Sequence, residues 1–236
     1  MVDHTVKAFD ADIGQLRGMI SQMGGLAEDA IALAMQALQR PDPALAARVR
    51  ADDKAIDAIE SEVERLAVRI IALRAPMAVD LREVVAALKI AAVVERIGDY
   101  AKNIAKRVPM IANANEGGEH RIEPISLLPS MARMASDMVR AALDAFAARD
   151  PEAAMRVVES DAALDDFYDS IFRTLVTYMV ENPRTISKVA HLLFVAKNLE
   201  RIGDHATNVA EMVYFAATGT QMADRDRGGA TSEDER

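Results

Sequence analysis

Two copies of the pentapeptide Glu-Arg-Ile-Gly-Asp place carboxylates at a spacing that suits a metal ion. Each copy supplies a Glu, an Asp four positions on and an Asn four positions after that. The six residues are Glu95, Asp99 and Asn103 in the first copy and Glu200, Asp204 and Asn208 in the second. In a helix, residues four apart lie on one face, so each copy stacks three oxygen ligands. Like charges at this spacing destabilise a bare helix by roughly a few tenths of a kcal/mol, and a bound cation would turn that repulsion into binding free energy.

The two halves of the sequence are more similar at this motif than in the residues before it. When the halves are aligned at an offset of 105, 8 of the 11 positions from Glu95 to Ala105 are identical. In the 16 positions from Val79 to Val94, only 3 are identical. Two copies of one ancestral unit have therefore drifted apart almost everywhere except at a carboxylate cluster, whereas a solvated helix face would have drifted as well.

Further carboxylates recur at an offset of 108 residues and predict a second layer of ligands. Asp53 and Asp57 correspond to Asp161 and Asp165, and Asp29 corresponds to Asp137. If packed helices bring these groups together, each half gains a site made only of oxygen ligands. Carboxylate and amide ligands without thiolate favour Mg, Mn, Ca or iron. His205 follows Asp204 and could join such a site, but its counterpart is Tyr100, so a mechanism shared by both halves cannot need it.

Three functional hypotheses remain open from the residues alone. They are a regulatory adaptor, a metal-dependent enzyme such as a phosphohydrolase with a two-metal site, and a scaffold whose acidic grooves are inert. Arg96 and Arg201 are interpreted as neutralising neighbouring carboxylates rather than binding substrate. The sequence contains no Glu-x-x-His pair of a ferritin-like centre, no nucleotide-binding glycine loop and no Gly-x-Ser-x-Gly nucleophile motif.

Composition narrows the class of protein. Hydrophobic residues make up 51% of the 236 positions but aromatic residues only 4%, which is typical of packed helices rather than a β-sandwich. The absence of cysteine excludes a disulfide framework and a thiolate metal site. The formal net charge of -9 argues against nucleic acid as the main partner. We expect no signal peptide and no membrane span, because no run of about 18 apolar residues occurs.

The elements that must position these residues are long helices in two similar halves. Two Asp-Pro pairs, at Asp42 and Asp150, predict an N-cap followed by Pro at the first helical position. Glycine costs roughly 1 kcal/mol in a helix interior, so its retention at Gly98 and Gly203 predicts a close approach there. Helices are predicted at about 5–40, 43–74, 80–108, 130–149, 151–181 and 185–218, with units 1–108 and 130–218, a linker 109–129 and a disordered tail 219–236.

Apolar residues spaced three and four apart predict a seam that faces partner helices. They are Val94, Ile97, Ala101, Ile104 and Val108 in the first half and Val195, Leu199, Ile202, Ala206, Val209 and Val213 in the second. Glu95 lies about 100° round the helix from Val94, on the shoulder of this seam. We therefore expect its stack in a groove, neither in the core nor fully in solvent. The fold class predicted is all-α, with two tandem three-helix units.

With these motifs in place, the chain resembles the PhoU family of bacterial phosphate signalling. Further segments carry the resemblance, which covers about residues 5–218: Met23-Gly24-Gly25, the run 68–74 with Pro76 and 80–82, and the run 175–179 with 184–186. The resemblance implies two three-helix bundles related by a pseudo-twofold axis. It also implies multinuclear metal sites at the Glu/Asp-x-x-x-Asp motifs, holding Mg, Mn, Fe or Zn.

The resemblance also implies a role without catalysis. Members of this family are cytoplasmic and often dimeric, and they reach the membrane only through partners. They link the phosphate ABC transporter and its ATPase to a sensor histidine kinase, and they restrain the phosphate-starvation response when phosphate is plentiful. These are expectations for the present chain, and no quoted motif identifies the surface that contacts a partner.

Overall fold

The computed structural model describes residues 2–113 and 123–222, and this part of the chain is helical with no β-strand. The all-α architecture of these residues is as predicted, with four α-helices in the first half and three in the second. The α-helices are α1 (Val2–Gln39), α2 (Pro43–Asp52), α3 (Lys54–Arg74), α4 (Val79–Asn113), α5 (Leu128–Ala148), α6 (Pro151–Glu181) and α7 (Ile186–Thr218). Short 3-10 turns occupy Glu123–Ser126 and Pro183–Thr185.

The two Asp-Pro pairs start helices as the sequence predicts. Asp42 has extended backbone angles, and its carboxylate accepts hydrogen bonds from the backbone N–H groups of Ala44 and Leu45, both at 3.0 Å. Asp150 does the same for Glu152 and Ala153, at 2.9 and 3.0 Å. Each aspartate thus satisfies amide groups that the first helical turn leaves without partners, and the proline that follows has no amide hydrogen to satisfy.

Several helix boundaries differ from those predicted. The second helix, expected without a break over 43–74, is interrupted at Asp53 and so divided into α2 and α3, whereas α6 is continuous through the equivalent Asp161. The fourth helix runs through Pro109 to Asn113, past its expected end at Val108. A proline removes one backbone donor without ending a helix that neighbouring helices hold in place. The spacing of Asp80 and Glu83 predicts a capping box at the start of this helix, but Glu83 instead accepts hydrogen bonds from Arg17.

The predicted seams are confirmed as the core. Residues of both seams, from Val94 to Val108 in α4 and from Val195 to Val213 in α7, are at most 2% exposed. The helices α4 and α7 pack against each other and against the remaining helices of their own halves. The motif-bearing helices are therefore the rigid centre of the molecule, which fixes the direction in which their carboxylates point.

The helices α4 and α7 are antiparallel and cross where equivalent residues of the two halves meet. The rings of Tyr100 and His205, which are 105 positions apart, contact edge to face with their centroids 5.1 Å apart. At one end of the pair, the Nε of Arg82 donates to the carbonyl oxygen of Ala216 at 3.3 Å. Because equivalent residues meet, the pseudo-twofold axis of the repeat passes between Tyr100 and His205.

A buried carboxylate also joins the halves. Glu83 of α4, only 5% exposed, forms ion pairs with Arg17 of α1 and with Arg149 at the end of α5. Arg149 adopts the left-handed conformation at φ 55°, which ends α5 and turns its guanidinium towards Glu83. This pairing holds the turn between α5 and α6 against the first half.

Two of the predicted segments fall partly outside the described residues. Of the linker 109–129, residues 114–122 lie outside them, and of the tail 219–236, residues 223–236 do. Gly219 ends α7 in the left-handed conformation at φ 77°. Among the helices that are described, none is both long and apolar enough to cross a bilayer.

Candidate functional site

Glycine in each motif lets a neighbouring helix approach closely, as predicted. A Cβ on Gly98 would lie 2.7 Å from Cδ1 of Ile56 and 3.4 Å from a carboxylate oxygen of Asp53. A Cβ on Gly203 would lie 2.2 Å from Cδ2 of Leu164 and 3.4 Å from a carboxylate oxygen of Asp161. The missing side chain therefore allows a buried aspartate of the second helix to lie against the motif helix in both halves.

The first cluster joins α4 to the break between α2 and α3. Asp53 is only 6% exposed and accepts a hydrogen bond from the ammonium group of Lys102. The same ammonium donates to Asp99 at 2.8 Å. Asp57 is exposed on α3, and Glu95 is half-buried on α4. Lys102 thus lies between two of the predicted ligands and neutralises part of their charge.

Electrostatics show that the carboxylates of the first cluster crowd one another. Burial raises the pKa of Glu95 above its usual range, and nearby negative charges raise it further, those of Asp99, Glu60, Asp57 and Asp53. Burial, Asp57 and Glu64 likewise raise the pKa of Glu60. The hydrogen bonds from Lys102 to Asp53 and Asp99 raise the pKa of its ammonium group, which keeps it charged.

The second cluster has the same backbone arrangement but different neutralising groups. Asp161 is 2% exposed within α6, Glu200 and Asp204 are half-buried, and Asp165 is exposed. Glu200 accepts a hydrogen bond from Lys197, one turn earlier in α7. Burial raises the pKa of Glu200 and Asp204 raises it further, against the lowering effect of Lys197. Oε2 of Glu200 is buried and has no hydrogen-bond partner within the described structure.

The repeat places its two lysines at positions that are not equivalent. Lys102 corresponds to Thr207, whose hydroxyl donates to the backbone carbonyl oxygen of Asp204 at 2.7 Å. Lys197 corresponds to Ala92, and its ammonium lies 5.2 Å from the ring centroid of Tyr168. Tyr168 in turn occupies the position of Glu60. The two clusters therefore share their carboxylates but differ in the cation and in the residue opposite the motif glutamate.

The remaining predicted ligands lie at the edges of these clusters or away from them. Asn103 and Asn208 are half-buried, and the side-chain oxygen of Asn103 accepts a hydrogen bond from Lys106 at 3.0 Å. Asp29 and Asp137 line surface grooves between the first two helices of their halves. Among the described residues, no three side chains of His, Cys, Asp or Glu lie close enough together to hold a metal ion.

The fit of these clusters to a metal ion differs between the halves. In both halves the donor atoms are oxygens, which suit hard or borderline cations. In the first half the Lys102 ammonium already lies between Asp53 and Asp99, so a metal ion must displace it. In the second half the buried Oε2 of Glu200 offers an oxygen that no described donor uses. Lys197 donates to the other oxygen of Glu200 and does not bridge two carboxylates, so the second cluster is the better fit.

His205 faces the junction between the halves rather than either cluster. Its Nδ1 lies 2.8 Å from the carbonyl oxygen of Arg201, so Nδ1–H donates, while its ring contacts Tyr100. Burial lowers the pKa of His205, and the nearby Arg96 and Arg201 lower it further, although Asp204 and the hydrogen bond to Arg201 raise it. The guanidinium of Arg201 also lies 5.9 Å from the Tyr100 ring centroid.

Sequence reasoning missed four residues of these clusters: Glu60, Lys102, Tyr168 and Lys197. Three of them could have been found from spacing, since Lys102 follows Asp99 by three positions, Lys197 precedes Glu200 by three, and Glu60 follows Asp57 by three. Residues three apart are neighbours on a helix surface. Tyr168 gives no such signal, because only its alignment with Glu60 places it opposite the motif.

The close contacts at the motif glycines predict that adding one methyl group there, by substitution with alanine, lowers the free energy of unfolding. Gly203→Ala should destabilise the protein by about 1–2 kcal/mol, because overpacking against the buried Leu164 outweighs the roughly 1 kcal/mol gained in helix propensity. Gly98→Ala should cost less, since its contact is longer. Chemical denaturation measures both. Gly25→Ala in α1 is the matched control, because a Cβ there meets nothing within 4 Å, and it should stabilise.

Adding Leu164→Val to Gly203→Ala removes the methyl group that clashes and should recover part of the loss. A Gly203→Ala variant as stable as Gly25→Ala would show that α6 does not press on this glycine.

Comparison with known proteins gives matches along most of the chain. A family model described as "PhoU domain" matches twice, at residues 20–108 and 128–213. A protein of Zymomonas mobilis named phosphate-specific transport system accessory protein PhoU homolog is 56% identical over 227 residues, covering 96% of this chain and 94% of that protein. A protein of the same name from Caulobacter vibrioides is 45% identical over 226 residues, covering 94% and 95%.

Solved structures share the architecture. The crystal structure of PhoU from Pseudomonas aeruginosa matches with a TM-score of 0.83 and 38% identity, covering 90% of this chain and 100% of that one. The phosphate transport system regulatory protein PhoU from Streptococcus pneumoniae matches with a TM-score of 0.81 and 25% identity, covering 91% and 99%. The similarity therefore extends over both halves and the way they pack.

Proposed function

This chain belongs to the PhoU family, and we propose that it is a regulatory accessory protein of phosphate uptake. The observation that carries the proposal is the double match of the PhoU domain, at residues 20–108 and 128–213. The named relatives align over nearly their whole length and are accessory proteins of a phosphate-specific transport system. The chain would accordingly act together with such a transport system.

We further propose how it regulates. The chain links the ATPase of the phosphate transporter to a sensor histidine kinase, works in the cytoplasm as a homodimer and catalyses no reaction itself. When phosphate is plentiful, this link keeps the kinase in its inhibitory mode. The family resemblance supports these points, and so does a sequence with no nucleotide-binding loop and no nucleophile motif. A rigid helical body with net charge -9 suits contacts with proteins rather than with nucleic acid.

A pull-down tests these partners directly. Immobilised transporter ATPase and the cytoplasmic part of the kinase should each retain the purified chain, because a link between them needs a contact with both. An ATPase from an unrelated ABC transporter serves as the control. Retention by neither partner, or equal retention by the unrelated ATPase, would contradict the proposed link.

We also propose that the carboxylate clusters bind divalent metal, with the second-half cluster binding more tightly. The support is the recurrence of the carboxylates in both halves, the raised pKa values of Glu95 and Glu200, and the buried Oε2 of Glu200. Burial raises these pKa values most and the repulsion between adjacent carboxylates raises them further; a bound cation would relieve that repulsion. Glu200, Asp204 and Asp161 would hold the ion in the second half after their side chains move closer together than the described groups lie, and Mg, Mn, Fe or Zn are the candidates.

Lys102 should lower the metal affinity of the first-half cluster. Its ammonium group donates to both Asp53 and Asp99, so it occupies the position that a metal ion would take. A unit charge about 4 Å away is worth up to about 4 kcal/mol near a protein surface, and less here because the lysine is partly exposed. Lys102 therefore acts as a built-in counter-ion.

Lys102→Met should raise the Mn²⁺ affinity of the first half by about tenfold, because the competing charge is removed while the apolar stem is kept. The same variant should be less stable without metal, since the buried Asp53 loses its counter-ion. Titration calorimetry measures the affinity. Lys89→Met, an exposed lysine of the same helix, changes the net charge equally and should leave the affinity unchanged. An equal gain of Mn²⁺ affinity in both variants would show that the effect comes from the change in net charge and not from Lys102 itself.

A further inference from the structure

Each half has a surface groove between its first and second helices, and the two grooves use equivalent positions. The α5/α6 groove encloses about 640 Å³, and the corresponding groove of the first half encloses about 260 Å³. Asp29, Arg48 and Val49 line the smaller groove, and their equivalents at an offset of 108 line the larger one: Asp137, Arg156 and Val157. The groove is therefore a feature of the repeat, enlarged in the second half.

Two leucines of the first half are replaced by alanines that line the larger groove. Leu33, which lines the smaller groove, corresponds to Ala141, and Leu45 corresponds to Ala153. Each exchange removes three carbon atoms, whereas Ala30, which lines the smaller groove, corresponds to the larger Met138. Met134 and Met138 also line the larger groove, and methionine walls adapt to the shape of what binds them. The two grooves therefore share positions but differ in the side chains that line them.

The walls of the α5/α6 groove are acidic. Three carboxylates line it, those of Asp137, Asp144 and Asp150, together with the guanidinium of Arg156. Asp150 lies 3.9 Å from Arg156 and Asp137 lies 3.8 Å from Arg140, so these exposed pairs offset part of the negative charge. Asp137 and Asp144 both belong to α5 and lie two turns apart, which is about 10 Å along the helix axis. A ligand that bears positive charges at helical spacing is complementary to this row.

The shape of the groove favours a helix over a compact molecule. Only α5, α6 and the turn between them line it, and Ala141, Ala148 and Ala163 are exposed on its surface. The third helix of this half, α7, packs against the same two helices and contributes no residue to the groove. Small side chains allow a further helix to pack between two others at the usual separation of about 8–10 Å.

We propose that the α5/α6 groove is the docking site for a cationic amphipathic helix of a partner protein. The apolar side of that helix packs on the alanine and methionine residues, and its lysines or arginines pair with Asp137 and Asp144. This is the helix-in-groove mode of recognition, with anchors three and four positions apart. The proposal names a surface and a partner chemistry that the regulatory role does not specify, and it does not depend on that role.

The test is the binding of a fluorescent helical peptide of about 14 residues, about 21 Å long, with leucines on one face and lysines on the other. The protein is the full chain, and fluorescence anisotropy measures the affinity. The decisive variant is Ala141→Leu/Ala153→Leu, which restores the residues of the first half, fills the groove and changes no charge. We expect it to bind the peptide at least tenfold more weakly, with an unchanged circular dichroism spectrum and melting temperature.

Two further measurements separate binding in the groove from binding elsewhere on the protein surface. A matched peptide with glutamates in place of lysines should bind at least tenfold more weakly than the lysine peptide. Asp144→Asn should weaken the binding of the lysine peptide, and the loss of affinity should be larger at low salt than at high salt. Equal binding of the lysine peptide to wild type and to the filled variant would overturn the proposal, since the peptide would then bind the acidic surface at large. The proposal would also be overturned if wild type is a dimer and the filled variant is a monomer, because the groove would then be occupied by a second copy of the chain.

Discussion

Replacing four motif carboxylates with alanine is expected to abolish divalent metal binding; the four are Glu95, Asp99, Glu200 and Asp204. The affinity should fall by at least about a hundredfold, which corresponds to about 2.8 kcal/mol. These four carboxylates supply the charge of both motif stacks, and the amide oxygens of Asn103 and Asn208 are too weak to replace it. The helices should remain intact, because all four side chains are only half-buried and alanine is the best helix former.

The control for this prediction carries the same change in net charge, from -9 to -5. It replaces four exposed carboxylates outside the clusters with alanine: Glu62, Glu159, Asp166 and Asp169. Metal content after purification without chelator, measured by elemental analysis, should match wild type in the control and fall to background in the motif variant. Undiminished metal in the motif variant would place the ions elsewhere in the chain and refute the assignment.

The helical framework could be predicted from the sequence because its signals are local and repeated. The Asp-Pro pairs act within one helical turn, and the caps at Asp42 and Asp150 form as expected. The seam residues recur at helical spacing in both halves, so the burial of residues such as Ile97 and Ile202 followed directly. The half-burial of Glu95 and Glu200 then follows from their place on the shoulder of that seam.

The groups that neutralise the carboxylates could not be predicted as easily, since they depend on how helices pack. Lys102 contacts Asp53, which lies 49 positions earlier in the sequence. The residues around a lysine do not indicate which distant carboxylate it will pair with. The meeting of Tyr100 and His205 depends on the crossing of α4 and α7, which periodicity does not fix. The continuation of α4 through Pro109 likewise reflects tertiary packing that overrides a local helix breaker.

Loss of this chain is expected to switch on phosphate-starvation genes in phosphate-rich medium. The reason is that the proposed regulator holds the sensor kinase in its inhibitory mode through protein contacts. Without that restraint the kinase signals continuously, so starvation-gene output in the absence of the chain should approach the level that wild type reaches under phosphate starvation. The motif variant with four alanines, expressed in the same strain, shows whether this restraint needs the metal clusters.

The measurement that tests the regulatory role most directly is starvation-gene output in high phosphate, compared between a strain that lacks this chain and a strain that lacks both the chain and the kinase. We expect high output in the first strain and normal low output in the second, because the signal passes through the kinase. Normal repression in the first strain would contradict the regulatory role. High output that persists without the kinase would contradict the proposed link, because the signal would then bypass that partner.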